Sequence, residues 1–210
     1  LLSCLNSSAK VTAGNICIND IDFLKLPLKE RAREVAFLPQ IRTVIPVLPV
    51  RTLVEHGRFP YLGFTRRKSK EDIDIVNQSM DFTHVTAYSE QNADTLSGGI
   101  RQRVFFSMLL AQDSQIIVMD EPVTYLDLEG KRNFFNMLKK LRQSGKTIIL
   151  VLHELSDAIR ISDNIVIMND RKIVAHGTPD ECISSHIIED VFHTTYKKFS
   201  DEDGDYYIFL

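Results

Sequence analysis

The chain has 210 residues, 44% of them hydrophobic and 25% charged, enough to bury one large domain or one domain with two lobes. Its formal net charge of -3 argues against a dominant nucleic-acid or anionic-lipid surface. No apolar run approaches bilayer length and no signal-peptide pattern is visible, which excludes a membrane-spanning protein of the helical kind.

Leu1-Leu2-Ser3-Cys4-Leu5 reads as the tail of an apolar helix, and a start on Leu in mid-helix reads as a truncation. Ser7 to Gly14 is loop chemistry. Val11, Ile16, Ile18 and Ile21 alternate with polar or small residues, which predicts strands. Leu24 to Arg33 carries mixed charge, with Pro27 placed for a first helical turn. Val35-Ala36-Phe37-Leu38 is a short buried strand, stopped by Pro39 and followed by Gln40.

Ile41 to Gln112 differs in texture. Pro46 and Pro49 break it early, then Val50 to Gly57 predicts a helix. Gly57 to Gly63 reads as a loop, followed by a basic cluster of Arg66, Arg67, Lys68 and Lys70. Without interleaved aromatics that cluster is a solvated turn ahead of a helix. Asp72 to Met80 and Gly99 to Gln112 predict amphipathic helices, the second with Val104, Met108 and Ala111 on one face and Arg101 and Arg103 elsewhere.

From Ile116 the rhythm changes. Ile116–Met119, Ile148–Leu152 and Ile165–Met168 are continuous apolar runs, the mark of a parallel sheet covered on both faces. Glu129 to Ser144 predicts an amphipathic helix ended by Gly145, and Ser200 to Asp205 a solvated acidic turn before a last strand. The alternation implies an α/β fold with a parallel sheet, interrupted by a helical lobe. The expected division is 1–40 and 113–210 as core and 41–112 as that lobe. The scattered cysteines Cys4, Cys17 and Cys182 lack C-x-x-C spacing and read as reduced thiols.

Two motifs carry chemistry. Leu96-Ser97-Gly98-Gly99 presents a hydroxyl and two bare backbone units at a helix start, where free N–H groups and the dipole favour phosphate. Ile116-Ile117-Val118-Met119-Asp120-Glu121 is a buried strand ending in a magnesium ligand beside a candidate base. Together they point to nucleoside triphosphate hydrolysis. Gln40, Asp120-Glu121 and His153 each follow an apolar run, so they are expected at the carboxyl edge of one parallel sheet, where such sheets bind ligands. No G-x-x-x-x-G-K-[ST] phosphate loop occurs in the sequence.

Alone, each signal has an ordinary structural reading. Their order (Gln40, Leu96-Ser97-Gly98-Gly99, Asp120-Glu121-Pro122, Leu126-Asp127, His153) resembles the ATP-binding-cassette ATPase subunits over essentially the whole chain. The resemblance implies a P-loop NTPase-type parallel sheet with an inserted helical subdomain, the first strand and phosphate loop missing. It implies that Ser97, Gly98 and Gly99 contact the γ-phosphate of ATP held by an opposite subunit. Asp120 then holds Mg²⁺ through water, Glu121 orients or deprotonates the attacking water, and His153 reaches the γ-phosphate. Gln40 senses Mg²⁺ and links it to a membrane partner, and Asp127 runs across the dimer seam. Positioning and charge neutralisation are what phosphoryl transfer needs. The family usually has Gln where this chain has Ile100, which puts hydrogen bonding around the nucleotide in doubt.

Ala36-Phe37-Leu38-Pro39-Gln40, Gly57-Arg58-Phe59-Pro60-Tyr61, Val151-Leu152-His153-Glu154-Leu155 and Gly177-Thr178-Pro179 look like the ATPases of iron-siderophore, haem and cobalamin importers. The implied protein is peripheral, on the cytoplasmic face of the inner membrane. Its partners are integral-membrane permease subunits and a second ATPase subunit, with a substrate-binding protein engaged indirectly and no nucleic acid. In the family a helix like the one opening here follows the phosphate loop, so that loop and the adenine-stacking aromatic are expected to be absent. Each preorganised donor to a transferring group contributes about 3 kcal/mol, so the chain as given is expected to be inactive alone and to fold poorly. The alternative is a catalytically inactive remnant that only binds a partner subunit.

Overall fold

The structure, a computed structural model, describes residues 2–6, 8–40, 45–63, 65–124, 126–201 and 204–210. Several expected features reach outside the described residues: Leu1 in the opening helix, Ser7 in the first loop, Ile41 at the head of the helical lobe, and Glu202-Asp203 in the acidic turn. The chain divides into two units, Leu1–Val151 and Leu152–Leu210.

In the first unit, Leu2–Cys4 is one turn of 3-10 helix rather than the tail of an α-helix. The alternation at Ile16 to Ile21 resolves into β1 (Cys17–Ile18) and β2 (Ile21–Asp22), paired antiparallel. Asn19 and Asp20 both take left-handed backbone between them, the geometry that a two-residue hairpin demands. Val11 lies outside any strand. α1 (Leu28–Glu34) begins on Pro27, one position earlier in the cap than expected, and ends where Val35 turns extended. β3 follows at once (Val35–Leu38).

Pro49 opens α2 (Val50–Glu55), whose end tightens into a 3-10 turn at His56–Arg58. α3 (Lys70–Phe82) starts on a complete capping box between Ser69 and Asp72, which supplies its first free N–H groups. α4 spans Gly98–Ala111. These helices share one hydrophobic cluster that includes Val50, Val54, Val76, Met80, Val85 and Val104. The single apolar stripe expected on α4 is a correction: Gln102, Val104, Phe106, Ser107, Leu109 and Ala111 are all buried, and Met108 only half so. α4 is covered on more than one side, and that erases the one-faced periodicity of a surface helix.

β4 (Ile116–Asp120), α5 (Leu128–Gln143) and β5 (Thr147–Val151) complete the unit. Gly145, in left-handed backbone, stops α5. Among the described residues β3, β4 and β5 form a parallel sheet in that order, with Leu38 opposite Met119 and Asp120 opposite Val151. The carboxyl ends of all three strands therefore lie at one edge. Ile117, Val118 and Met119 are buried, Phe23 and Val35 pack with Val118, and Phe106 of α4 meets Phe134 of α5 with ring centroids 4.8 Å apart. β5 is less covered than its apolar run implied, since Ile149 is exposed.

The second unit holds α6 (Leu155–Ile161), β6 (Ile165–Asn169), β7 (Lys172–Gly177), α7 (Pro179–Ser184), α8 (Ile187–Phe192), β8 (Tyr196–Asp201) and β9 (Gly204–Phe209). Ile165–Met168, expected in a covered parallel sheet, pairs antiparallel with β7 and leaves Val166 53% and Met168 44% exposed. The reason is the turn: Asp170 and Arg171 both adopt positive φ, a two-residue connection that only antiparallel strands can use. β8 and β9 form a second hairpin, so Ser200, Asp201, Gly204 and Asp205, expected in a solvated turn, are paired strand residues, and Glu202-Asp203 lie outside the described residues. Ile159, Ile167, Cys182, Ile183, Ile188 and Tyr207 make the core of this unit. Thr178 and Glu181 cap α7 reciprocally, with Pro179 in its first turn.

Candidate functional site

The site grows out of the shared edge of β3 and β4. β3 stops at Leu38 because Pro39 cannot continue the ladder, and Gln40 stands half-buried just beyond it. β4 ends at Asp120, and Glu121 turns left-handed with φ 50. Such backbone in a residue other than glycine is strained and is held by its surroundings. Here the Glu121 N–H donates to Val151 O at 3.1 Å, and Thr124 Oγ1 donates to Glu121 O at 3.1 Å. The result aims the Glu121 side chain back across the strand ends, where Gln40 Nε2 donates to Glu121 Oε2 at 2.5 Å. Asp120 sits one residue earlier, half-buried, its carboxylate uncommitted among the described residues.

Ser97 is the N-cap of α4 in extended backbone, yet its hydroxyl makes no cap hydrogen bond and the residue is exposed. The first N–H groups of α4 have no partners within the helix. A methyl at Gly99 would meet only Leu126 Cδ2, at 3.7 Å, so nothing inside the molecule demands a glycine there. Asp127 is committed locally: its Oδ1 accepts from Gly130 N at 2.7 Å and caps α5. His153 belongs to the second unit, exposed in the turn before α6.

Of the expected residues, the first unit thus joins Gln40 to Glu121 by a direct bond, with Asp120 adjacent. It places Ser97, Gly98 and Gly99 at one helix start and Asp127 at another. Two residues were missed at the sequence level. Gln102, buried in α4, donates from Nε2 to Pro122 O at 2.8 Å, and Arg101 donates from Nη2 to Leu96 O at 2.7 Å. The available signal was Gln102 itself, one turn after Gly98 in a helix that is otherwise mostly apolar.

A carboxylate pair and an amide thus stand at the edge of a parallel sheet, with an exposed helix start nearby in sequence. The family model described as ABC transporter matches residues 1–124. The petrobactin import ATP-binding protein FpuD of Bacillus anthracis is 37% identical over 193 residues, covering 91% of this chain and 71% of its own. The ferric enterobactin transport ATP-binding protein FepC of Escherichia coli strain K12 is 34% identical over the same shares of the two chains. A chain from an inward-facing ABC transporter structure superposes with TM-score 0.83 over 100% of this chain and 80% of its own, at 19% identity, a likeness of fold. A dimeric bacterial ABC transporter cassette follows at TM-score 0.72 and 25% identity, covering 85% of this chain and 80% of its own. The chain belongs to the ABC transporter family, as one of its ATP-binding ATPase cassettes. No described helix is long and apolar enough to cross a membrane.

Proposed function

We propose that this protein, in a full-length form that carries a phosphate loop, is the ATP-hydrolysing subunit of a membrane importer of iron chelates, siderophore-bound iron first among them, with haem and cobalamin as related cargoes. The support is that relatives such as FpuD and FepC are named for petrobactin import and ferric enterobactin transport. The observation that carries the catalytic part is the Gln40–Glu121 hydrogen bond. It fixes a carboxylate at the sheet edge next to a second carboxylate, Asp120.

Residues 41–112 act as a helical subdomain, supported by the hydrophobic cluster that α2, α3 and α4 share. The remainder is nucleotide-binding core. Two copies pair so that Ser97, Gly98 and Gly99 of one bind the γ-phosphate of ATP held by the other. The free hydroxyl of Ser97 and the unpaired N–H groups of α4 suit that anion. Glu121 takes the proton of the attacking water at its carboxylate, and Gln40 keeps that carboxylate aimed. His153 completes the contacts to the γ-phosphate and Asp127 those across the dimer. The importer's permease subunits couple to dimer closure through the Gln40 turn and the helical subdomain, the substrate-binding protein engages those permeases, and the ATPase lies against the cytoplasmic face of the membrane.

The residues fit Mg²⁺. This ion binds through one or two carboxylates plus phosphate oxygens and water, so Asp120 with the Gln40 amide oxygen is a sufficient protein share. No larger cluster of metal-binding side chains is required, and none occurs among the described residues. When bound, Mg²⁺ neutralises charge on the β- and γ-phosphates.

The test is uptake of a radiolabelled ferric siderophore by proteoliposomes holding the transporter assembled from the native genes. ATP-dependent uptake that Glu121→Gln abolishes is expected. Uptake that survives Glu121→Gln unchanged overturns the proposal.

A further inference from the structure

We propose that Gln102 is a positioning residue that fastens the start of α4 to the loop carrying Glu121, so that the two ATP sites of a dimer act on one another. The inference rests on the functional reading above. Gln102 is 5% exposed, and its Nε2 donates to the carbonyl of Pro122, itself buried, at 2.8 Å. This bond spans 20 residues of sequence and joins a helix to the residue after Glu121. Proline has no N–H, so its carbonyl is what that position offers a partner.

Both ends of the bond lie at functional positions. Gln102 stands one helical turn after Gly98, on the same face. On the other side of the cap, Arg101 Nη2 holds Leu96 O at 2.7 Å, fixing the chain ahead of Ser97. The receiving loop needs support, because Glu121 holds strained left-handed backbone with φ 50. The helix start at residues 96–102 and the turn at Glu121-Pro122 are therefore joined through the Gln102 bond.

In a dimer this piece has two clients. Ser97 to Gly99 face the ATP of the second copy, whereas Glu121 serves the ATP of its own. A shift of α4 on engaging one nucleotide is carried through Gln102 to the carboxylate at the other.

The experiment uses the full-length protein with its phosphate loop, unaltered and as Gln102→Met, which keeps the side-chain length but cannot donate. Without nucleotide, amide hydrogen exchange of residues 121–127 is expected to rise about tenfold in the variant, with α3 unchanged. In ATP turnover, kcat falls about tenfold with KM within about twofold, and a Hill coefficient above one falls to about one, since the two sites no longer sense each other. Mixed dimers with one variant subunit show the same loss of cooperativity. Unchanged exchange at 121–127, or a rise shared equally by α2, α3 and α4, overturns the proposal. So does a Hill coefficient that stays at its original value. Absence of ATP turnover in the unaltered protein overturns the functional reading and the coupling with it, while the exchange result still decides whether Gln102 fixes the loop.

Discussion

Gln40 and Glu121, 81 residues apart in sequence, share a hydrogen bond of 2.5 Å from amide Nε2 to carboxylate Oε2. The bond exists because β3 and β4 are parallel neighbours whose ends coincide, Leu38 opposite Met119. It makes the two residues one device, an aimed carboxylate. Under the proposed function, Glu121→Gln in the full-length protein keeps an oxygen for Gln40 to donate to but removes the proposed base, so kcat should fall by about 10² to 10³ with ATP affinity nearly unchanged. Gln40→Ala leaves the base but frees it, and a loss of about tenfold is expected. The two effects should not add, because they act on one contact. Phosphate release and nucleotide binding measured on both single variants and the double variant check this, and strictly additive losses would refute the shared device.

Gly57 lies where the 3-10 turn His56–Arg58 passes α4. A Cβ there would stand 2.3 Å from Met108 O and 3.0 Å from both Ala111 Cβ and Gln112 N. Two of these are backbone atoms of a packed helix and cannot step aside, so Gly57→Ala should cost about 2 to 3 kcal/mol. Gly63→Ala is the control, since a Cβ there meets nothing within 4 Å. Urea unfolding midpoints read the difference, and equal midpoints for the two variants would refute the close approach.

Much of this was legible in the residues. Val35–Leu38 and Ile116–Met119 announce buried strands by composition alone, and the polar residues that follow them announce the edge of the sheet. Direction was not legible at Ile165–Met168, because an apolar run records burial and not the sense of the neighbouring strand. That was decided by the Asp170-Arg171 turn. Arg58 reads as one more loop residue after Gly57, yet it is 4% exposed. Its partners, Asp72 and the carbonyl of Ala111, lie 14 and 53 residues away. Long-range partners of that kind leave no periodic trace, and Gln102 escaped notice for the same reason.

Asp127 is placed by its cap: Oδ1 takes the N–H of Gly130 at 2.7 Å at the start of α5. Asp127→Ala should therefore cost about 1 kcal/mol of stability, and Asp127→Asn close to none. Gly130→Ala should resemble Asp127→Ala in part, because its Cβ would lie 2.9 Å from Asp127 Oδ1 and push the carboxylate off the N–H. Denaturant melts of the three variants test this, and an Asp127→Ala protein as stable as the unaltered one would show that the cap carries nothing.

The Arg58–Asp72 pair gives the chain an acid-sensitive joint. Arg58 Nε donates to Asp72 Oδ1 at 2.8 Å, its Nη1 donates to Ala111 O at 2.9 Å, and the guanidinium lies 3.9 Å from the Tyr61 ring centroid. Ser69 adds its backbone N–H and hydroxyl to Asp72 Oδ2, each at 2.8 Å. Burial pushes the Asp72 carboxyl up, but the Ser69 N–H, the Arg58 guanidinium and the Ser69 hydroxyl outweigh it, and the group ends below its ordinary value. A carboxyl lowered in the folded state contributes stability that is full above the unfolded value of about 4. That contribution is lost as pH falls through the lower folded value. Asp72→Asn should then be less stable than the unaltered protein at about pH 7, with the gap closing below about pH 4. Removing one partner of a buried pair costs about 3 kcal/mol or more, so Arg58→Met, which strands the carboxylate while keeping much of the packing, should melt far lower at neutral pH and regain ground in acid. Thermal midpoints of all three proteins across that range are the measurement. A gap of constant size would mean that the pair serves shape alone.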